Sequence, residues 1–362
     1  MMLAKRLVAL VLLFFVIPFE VFSASPDQKS NRIDILDKLA NHYYLDFKPI
    51  AKVELPRILL VDGAFYVYSS TTAALNSSDG WTDPYYLEHP DKVQYKENGN
   101  IAPATYQLVN EDGRQVDIDF SLSSHLIWFV ISGFLVFFIF YRLQKKYKGE
   151  GNEALVPKGP IQNIFEFLVI FVRDEIALAN IGPAKYMKYT PYLLTAFFMI
   201  LFMNLFGLMP WGVTSTADVI VTAALALFTF VITQLAGSKD YWKHVFAMPG
   251  VPKMMLVILT PVEILGLFTK PFALTVRLFA NMSSGKMLVY SVLGMIFIFG
   301  DLFGPAVGIG SSVVWVSFTI FIYAIKVFAA FLQAYIFTMF SALYIGIAAE
   351  EHDHSHEHQG AH

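Results

Sequence analysis

The chain has 362 residues, of which 56% are hydrophobic and only 15% are charged, and its formal net charge is −3. These proportions depart far from those of soluble proteins and indicate that most of the chain lies in a lipid bilayer. The chain has no cysteine, which excludes disulfides and thiolate metal sites, and its slightly acidic balance gives no support to nucleic-acid binding.

The first 25 residues have the layout of a signal peptide. Two basic residues, Lys5 and Arg6, precede an apolar run at 7–19, and small residues follow at 23–25. The apolar run is shorter than the roughly 20 residues that a membrane helix needs. We therefore predict a signal peptide at 1–25, with an uncleaved first membrane helix as the alternative.

Residues 26–120 have the composition of a soluble segment, with charges throughout. Turn pairs occur at Asn98–Gly99 and Asp112–Gly113, and alternating runs occur at Ala64–Tyr68 and Gln115–Phe120. This pattern predicts a small, mainly β segment outside the membrane. The sequence assigns no activity to it.

Five later apolar segments are long enough to cross a membrane. They lie at 124–143, 189–209, 216–236, 254–299 and 311–348. The last two exceed one perpendicular crossing, so each is either one long tilted helix or a set of shorter ones. The predicted fold class is an all-α polytopic membrane protein with about five spans, whose membrane channel domain covers residues 121–349.

Basic residues set the predicted orientation. Five of them follow the first span at 142–158 and three lie between the third and fourth spans, whereas the loops at 210–218 and 300–310 have none. The positive-inside rule then places residues 26–120 outside the cell's inner membrane and the C-terminus in the cytoplasm. Between the first two spans, residues 161–179 mix charges with apolar residues at helical spacing, which predicts a helix lying in the interface.

The tail at 350–362 is cytoplasmic in this orientation and holds five histidines among acidic residues. A solvated polar end is favoured over a metal site, because the pattern lacks the fixed geometry of a specific site. We expect neither a metal nor a cofactor. The chain also lacks the Gly-x-x-x-x-Gly-Lys-Ser/Thr pattern, so a nucleotide site of its own has no support.

Polar residues form two rows within the last two apolar segments. Spacings of 7, 7 and 4 place one row on one helix face, and these residues are Glu263, Lys270, Arg277 and Asn281. Lys326 and Gln333 share a face of the last segment, so the two rows are able to meet. An arginine in mid-membrane costs about 2.5–3.5 kcal/mol on insertion scales and needs a partner or a water-filled cavity. The alternative is a polar pair that only fixes helix packing.

The run Arg277-Leu-Phe-Ala-Asn281-Met, with Glu263 and Lys270-Pro271 before it, resembles the signature of the a subunits of F-type ATP synthases. Further stretches agree in the family's order over about residues 124–352: Met203-Asn204-Leu205, Thr216-Ala217-Asp218 and Leu332-Gln333-Ala334-Tyr335-Ile336-Phe337.

The resemblance implies a stator subunit that conducts protons through two half-channels to and from the carboxylates of the c-ring. Arg277 would hold each passing carboxylate ionised and block direct leakage between the half-channels. Glu263 would line the cytoplasmic path, and Asn281 and Gln333 would orient water or the carboxylate, or else only bond the helices together. Asp218 would serve a channel mouth or a helix N-terminus. The implied partners are the c-ring, the peripheral-stalk b subunit and the lipid bilayer.

The chain departs from the family at Lys286 and Lys326, where many members carry acidic residues or histidine in the outer access path. Both lysines are candidates for the proton path, although a paired or snorkelling lysine is favoured. Lys286 lies nine residues from Arg277, on the opposite face of a straight helix. Alternatives from other classes are a secondary transporter, which would show internal repeats, and a structural scaffold. The choice between protons and sodium stays open.

Overall fold

The structure, a computed structural model, describes residues 43–47, 51–110, 116–146, 159–209, 212–246, 248 and 251–350. The predicted signal peptide and all but the first residue of the histidine-rich tail lie outside these ranges.

The N-terminal part is a small β segment, as the sequence predicts. Its elements are β1 (Tyr44–Phe47), β2 (Ala51–Glu54), β3 (Arg57–Val61), β4 (Ala64–Tyr68), α1 (Thr71–Leu75), β5 (Trp81–Thr82), α2 (Pro84–Glu88), a 3-10 turn (Pro90–Lys92), β6 (Val109–Asn110) and β7 (Ile118–Asp119). They form an antiparallel β4-β3-β7 sheet and two two-stranded antiparallel sheets, β1-β2 and β5-β6. The predicted strand at Ala64–Tyr68 is confirmed. Of the predicted run at Gln115–Phe120, the structure shows a strand at Ile118–Asp119, and Gln115 lies outside the described residues.

Local chemistry sets the β3–β4 turn. Val61 pairs with Ala64, and the two residues between them, Asp62 and Gly63, have φ of 50° and 79°. Positive φ at both central residues is the requirement of a tight hairpin turn that matches strand twist, and an Asp-Gly pair meets it cheaply. One face of the sheet packs on a core of Leu59, Ala74, Leu75, Trp81 and Leu108.

A buried ion pair attaches this sheet to the strand that leads into the membrane. Arg57 on β3 donates to Asp119 Oδ2 on β7 at 2.9 Å and is almost wholly buried. Its guanidinium also lies 3.6 Å from the centre of the Tyr43 ring. Because an unpaired buried charge is costly, this pair fixes β7 only a few residues before the first membrane helix.

The rest of the chain is helical. Its elements are α3 (Ser124–Lys146), α4 (Pro160–Phe171), a π-helix (Val172–Leu178), α5 (Ala179–Ile181), α6 (Tyr186–Phe206), a 3-10 turn (Ser215–Ala217), α7 (Val219–Ala236), α8 (Lys239–Phe246), α9 (Lys253–Phe303) and α10 (Pro305–Ala349). Five of these helices, α3, α6, α7, α9 and α10, are long and apolar enough to cross a membrane. The predicted all-α polytopic fold with a small N-terminal strand region is confirmed.

Helix α6 is the centre of the bundle. Most of its residues are buried, and its aromatic and aliphatic side chains pack against α3, α7, α10 and the π-helix. The predicted helix at 161–179 is present as α4, the π-helix and α5. Its Val172, Ile176 and Ala177 are fully buried. That segment therefore packs one face into the bundle, and its depth in the membrane stays a prediction.

Helices α9 and α10 are each one continuous helix, which decides between the two alternatives that the sequence leaves. They contain 51 and 45 residues, so at 1.5 Å per residue each is more than twice as long as a ~30 Å hydrocarbon core. Two prolines, Pro261 and Pro271, lie inside α9 without ending it. Thr275 donates to the Pro271 carbonyl at 2.9 Å.

Candidate functional site

The two polar rows meet where α9 packs on α10. Asn281 Nδ2 donates to Gln333 Oε1 at 3.3 Å. Gln333 is buried and Asn281 is half-buried. One amide group remains on each side of this bond, the Asn281 oxygen and the Gln333 nitrogen, so the contact fixes the helices and still has hydrogen-bonding capacity to offer.

Arg277 lies one turn before Asn281 on α9 and is exposed. Its guanidinium carbon lies 4.5 Å from the centre of the Phe340 ring on α10. The described residues contain no salt bridge to Arg277; their ion pairs involve other cations. An aromatic face positions a guanidinium without neutralising it. The site therefore holds an exposed permanent cation that has no carboxylate partner among the described residues.

Glu263 and Lys270 lie further toward the start of α9. Lys270 Nζ lies 5.4 Å from the centre of the Tyr344 ring, and its charge interacts with that of Glu263. Glu263 also interacts electrostatically with Tyr241 of α8. These residues lie at the end of the bundle away from the β segment, and the structure brings them to the same side as Tyr344 but not into contact with Arg277.

A cavity of about 400 Å³ lies on the other side of the Asn281–Gln333 contact. Residues of α6, α9 and α10 line it, among them Asn204, Asn281, Ser284, Gly285 and Lys326. A methyl group on Gly285 would contact the end of the Lys326 side chain, with Nζ only 2.8 Å away. Gly285 thus makes room for the lysine beside the cavity.

Lys286 lies next to this arrangement rather than in the cavity lining. Its charge interacts with that of Lys326, and the structure gives it no contact with Arg277. This agrees with the half-turn offset expected from its spacing. The described residues form no salt bridge with either lysine, so two like charges lie close together near the cavity.

Asp218 is the N-cap of α7, and it also contacts a residue that the sequence analysis missed. Its Oδ1 accepts from Ile220 N at 2.8 Å, while its Oδ2 lies 3.4 Å from Nδ1 of His125 on α3. The cap is therefore real, and the carboxylate also interacts with the backbone N–H of Val221. His125 stands among serines at the start of a span, where a polar residue is typical of a helix start, so no local pattern indicates this pairing.

Two further polar contacts surround this pair. Ser215 Oγ donates to the His125 carbonyl at 2.8 Å, and Thr216 Oγ1 donates to Asn204 Oδ1 at 2.6 Å. Asn204 is fully buried, and its Nδ2 has no hydrogen-bond partner among the residues that the structure describes. Asn204 also lines the cavity. It links the His125–Asp218 end of the bundle to the cavity beside Lys326.

A separate buried cluster joins three helices near the centre of the bundle. The hydroxyl of Tyr192 on α6 lies 2.5 Å from Thr229 Oγ1 on α7, which lies 3.4 Å from Ser341 Oγ on α10. Hydrogen bonds between buried hydroxyls hold membrane helices together by about 0.6 kcal/mol on average. We interpret this cluster as structural.

Comparisons with known proteins agree with this architecture. The family model described as ATP synthase A chain matches residues 126–346. ATP synthase subunit a of Myxococcus xanthus is 45% identical over 253 residues, which are 67% of this chain and 79% of that protein. The protein of the same name from Anaeromyxobacter dehalogenans strain 2CP-C is 42% identical over 286 residues, covering 76% of this chain and 71% of the relative. That of Chlorobium phaeobacteroides strain DSM 266 is 43% identical over 248 residues, covering 67% and 69%.

The match spans all five candidate membrane helices and includes both polar rows, so neither the transporter nor the scaffold alternative is needed to explain them. The chain therefore belongs to the ATP synthase A chain family, the a subunits of F-type ATP synthases, and it is the proton-translocating stator subunit of the membrane sector.

Proposed function

We propose that this chain conducts protons through two half-channels, one at each end of the bundle, and exchanges them with c-ring carboxylates at Arg277. The observation that carries this proposal is the state of Arg277: an exposed guanidinium, held against Phe340 and without a carboxylate partner among the described residues. A permanent cation in a membrane helix needs an anionic partner, and here that partner must come from another subunit.

The chemistry follows from electrostatics. A guanidinium within about 4–6 Å lowers the pKa of a carboxyl group by roughly 1–3 units, so a rotor carboxylate opposite Arg277 stays ionised. When it moves away toward lipid it must take up a proton, because burying the charged form is far costlier. Arginine cannot be deprotonated in proteins, so it blocks a direct proton path between the two half-channels. The membrane potential, at about 2.3 kcal/mol per charge per 100 mV, gives the direction.

The two routes are assigned from the residues on either side of Arg277. Glu263 belongs to the route at the end away from the β segment. Asn281, Gln333 and the cavity beside Lys326 and Lys286 belong to the route at the β-segment end, with Asp218 near its mouth. The basic loops support placing the β segment outside the inner membrane and the C-terminus in the cytoplasm. The proposed partners are the c-ring and the peripheral-stalk b subunit.

The test is Arg277→Ala in the assembled ATP synthase in membrane vesicles. ATP-driven proton pumping is expected to fall to background, at least tenfold, while the catalytic head still hydrolyses ATP. Passive proton conductance through the membrane sector is expected to rise, because the barrier between the half-channels is gone.

Arg173→Ala is the matched control. Arg173 is an exposed arginine of the same chain whose guanidinium is paired with Asp174 at 2.6 Å, and an exposed pair of this kind is worth little. That variant is expected to pump as the unmodified protein does. Coupled pumping that survives in Arg277→Ala would refute the proposed function.

A further inference from the structure

His125 and Asp218 form a buried ionisable pair at the β-segment end of the bundle. The side chain of His125 is 4% exposed and that of Asp218 14%, and their Nδ1 and Oδ2 atoms lie 3.4 Å apart. The two residues come from different helices, α3 and the start of α7. A charged group with so little access to water is costly unless it is paired, and each of these two side chains is the ionisable neighbour of the other.

Helix capping does not explain the pair. Capping α7 needs one acceptor oxygen, which Asp218 Oδ1 supplies to Ile220 N, and asparagine or serine would serve as well. The second oxygen of Asp218 faces the imidazole instead. Within the described part of the chain, Nδ1 of His125 has no hydrogen-bond partner. Two groups able to gain and lose a proton therefore face each other. The cap of α7 does not require either of them to be charged.

Polar groups continue from this pair to the cavity. Thr216 lies two residues before Asp218 and bonds to Asn204, and Asn204 presents a fully buried Nδ2 without a partner at the cavity lining. The cavity is large enough for several waters by the usual ~30 Å³ for each. Its lining then reaches Asn281, whose amide bonds Gln333 one turn from Arg277.

The cavity lining offers a single ionisable group among its residues. Its lining residues include no carboxylate and no imidazole, and its ionisable member is Lys326. Imidazole is the side-chain group generally suited to exchanging a proton in the physiological pH range. The nearest pair with the right chemistry, connected through Thr216 and Asn204, is His125 with Asp218.

In the described part of the chain, the elements packed around His125 contribute one charged residue, Asp218. The turn before α7 contributes Ser215 and Thr216. Helix α6 contributes Asn204 and, through its ring contact with Trp128, Phe206. Helix α9 reaches this turn through Ser283, which donates to the Ala217 carbonyl at 3.3 Å. Lys286, one turn beyond Ser283, has Lys326 as its charged neighbour.

We infer that His125 and Asp218 are a proton-exchange pair that loads the half-channel at the β-segment end. The imidazole takes a proton from water at that end on the ring nitrogen that does not face Asp218. It becomes an imidazolium paired with the Asp218 carboxylate. It then releases the proton to water of the cavity on the path to Asn281, and returns to the neutral form. This inference rests on the proposed function, because it assigns a donor to one of the two proposed routes.

The test uses His125→Gln, Asp218→Asn and the double variant in the intact synthase. Glutamine keeps a polar side chain but carries no charge, and asparagine keeps the N-cap of α7. ATP synthesis is driven by an imposed potential while the pH on the β-segment side is varied from about 5 to 8. Rates are divided by the amount of this subunit in the membrane, so poor assembly does not count as lost transfer.

In the unmodified protein the rate is expected to fall as that pH rises, because fewer protons are available to the His125–Asp218 pair. His125→Gln is expected to abolish this pH dependence and to lower the rate about tenfold or more. Loss of a general acid–base group typically costs roughly 10²–10⁴-fold, and a water that substitutes for the imidazole would reduce that loss. Asp218→Asn is expected to give a similar loss, and the double variant no more than either single one, because the pair acts as a unit. His89→Gln, a histidine of the β segment outside this route, is expected to keep the full profile.

Three results would overturn the inference: a flat profile in the unmodified protein, an unchanged profile in His125→Gln, or full activity in Asp218→Asn, which would reduce Asp218 to a cap. The unmodified profile decides the question even if no variant assembles. If Arg277→Ala uncouples the synthase while these variants behave as unmodified protein, only this inference fails. If Arg277→Ala stays coupled, the proposed function itself fails.

Discussion

Arg277 is positioned by an aromatic ring rather than by a carboxylate. A salt bridge within the chain would neutralise the guanidinium and compete with any acid arriving from outside. The Phe340 face, 4.5 Å away, orients the group at low cost to its charge. Arg277 differs in this from Glu263 and Lys270, whose charges interact with each other nearer the start of α9. The Arg277 cation thus stays exposed, whereas the charge of Lys270 interacts with that of Glu263.

Gly285 provides a test of whether the position of Lys326 matters for conduction. In Gly285→Ala the new methyl group would meet the end of the Lys326 side chain. The flexible lysine end gives way rather than the backbone, so the protein is expected to assemble while the ammonium group moves relative to the cavity. ATP-driven pumping per assembled complex is expected to fall several-fold.

The matched control is Gly294→Ala on the same helix, where a methyl group meets nothing within 4 Å. It is expected to pump normally. Equal pumping by the two alanine variants would show that the position of the Lys326 ammonium group has no role in the proton route.

At the level of elements, the α9–α10 hairpin has the longest helices and the closest approach. The chain reverses at Gly304, whose φ of 94° favours glycine. Gly300 and Gly308 then face each other across the reversal, so that any Cβ on Gly308 would lie 2.7 Å from the Gly300 Cα. Small residues let two membrane helices approach in this way and gain van der Waals contact. The hairpin holds Asn281 and Gln333 in register well below the turn.

Gly308→Ala is expected to destabilise the hairpin, because the clash is with backbone that cannot rotate away. Overpacking of this kind costs about 1–3 kcal/mol. The measurement is unfolding of the purified subunit in mild detergent with increasing denaturant, where the midpoint should move to lower concentration.

Gly310→Ala, two residues further on, adds its methyl group to open space. Its midpoint is expected to stay at the unmodified value or to rise slightly, since alanine has the higher helix propensity. The idea of a tight α9–α10 crossing is refuted if both alanines shift the midpoint equally.

At the scale of the whole molecule, the chain joins a small β segment to a helical bundle through a very short connection. Strand β7 ends at Asp119 and α3 begins at Ser124. The buried Arg57–Asp119 pair fixes that strand, and His125 lies just inside the first span. The β segment is therefore set directly over the end of the bundle where we place the His125–Asp218 pair.

The stability of the β segment is expected to depend on pH through Glu54. Burial raises the pKa of its carboxyl group, but hydrogen bonds from Lys96 and Thr72 outweigh burial and hold the pKa below its ordinary value. Both donors lie close, at 2.6 Å for Lys96 Nζ and 2.8 Å for Thr72 N. Because the folded pKa is the lower one, this stabilisation is present in full above the unfolded value of 4.5. It is lost as the pH falls through the folded value.

Urea unfolding of the β segment in the whole protein, followed by the fluorescence of Trp81 against a Trp81→Phe reference, measures this dependence. Glu54→Gln should lower the midpoint at neutral pH and flatten its decline in acid. Glu97→Gln changes an exposed glutamate of the same segment and should leave both unchanged. A decline in acid that is as steep in Glu54→Gln as in the unmodified protein would contradict this account.

The sequence by itself determined the membrane class, the five spans and the row of polar residues on α9. It could do so because lipid requires long apolar helices whose backbone groups bond internally, and because residues seven apart share a helix face. The strand at Ala64–Tyr68 was equally readable, since alternation and an Asp-Gly turn are local signals. These features depend on neighbours along the chain and need no knowledge of packing.

Only the tertiary structure decided how distant residues meet. It joined Asn281 to Gln333, made α9 and α10 continuous, placed Lys326 against Gly285, and brought His125 of the first span to Asp218 at the start of the third. Such contacts follow from how whole helices pack, because a side chain's partner on another helix depends on crossing angle and depth that no local pattern encodes. Proton transfer depends on those same contacts, so the proposed route could be traced only after the helices were packed.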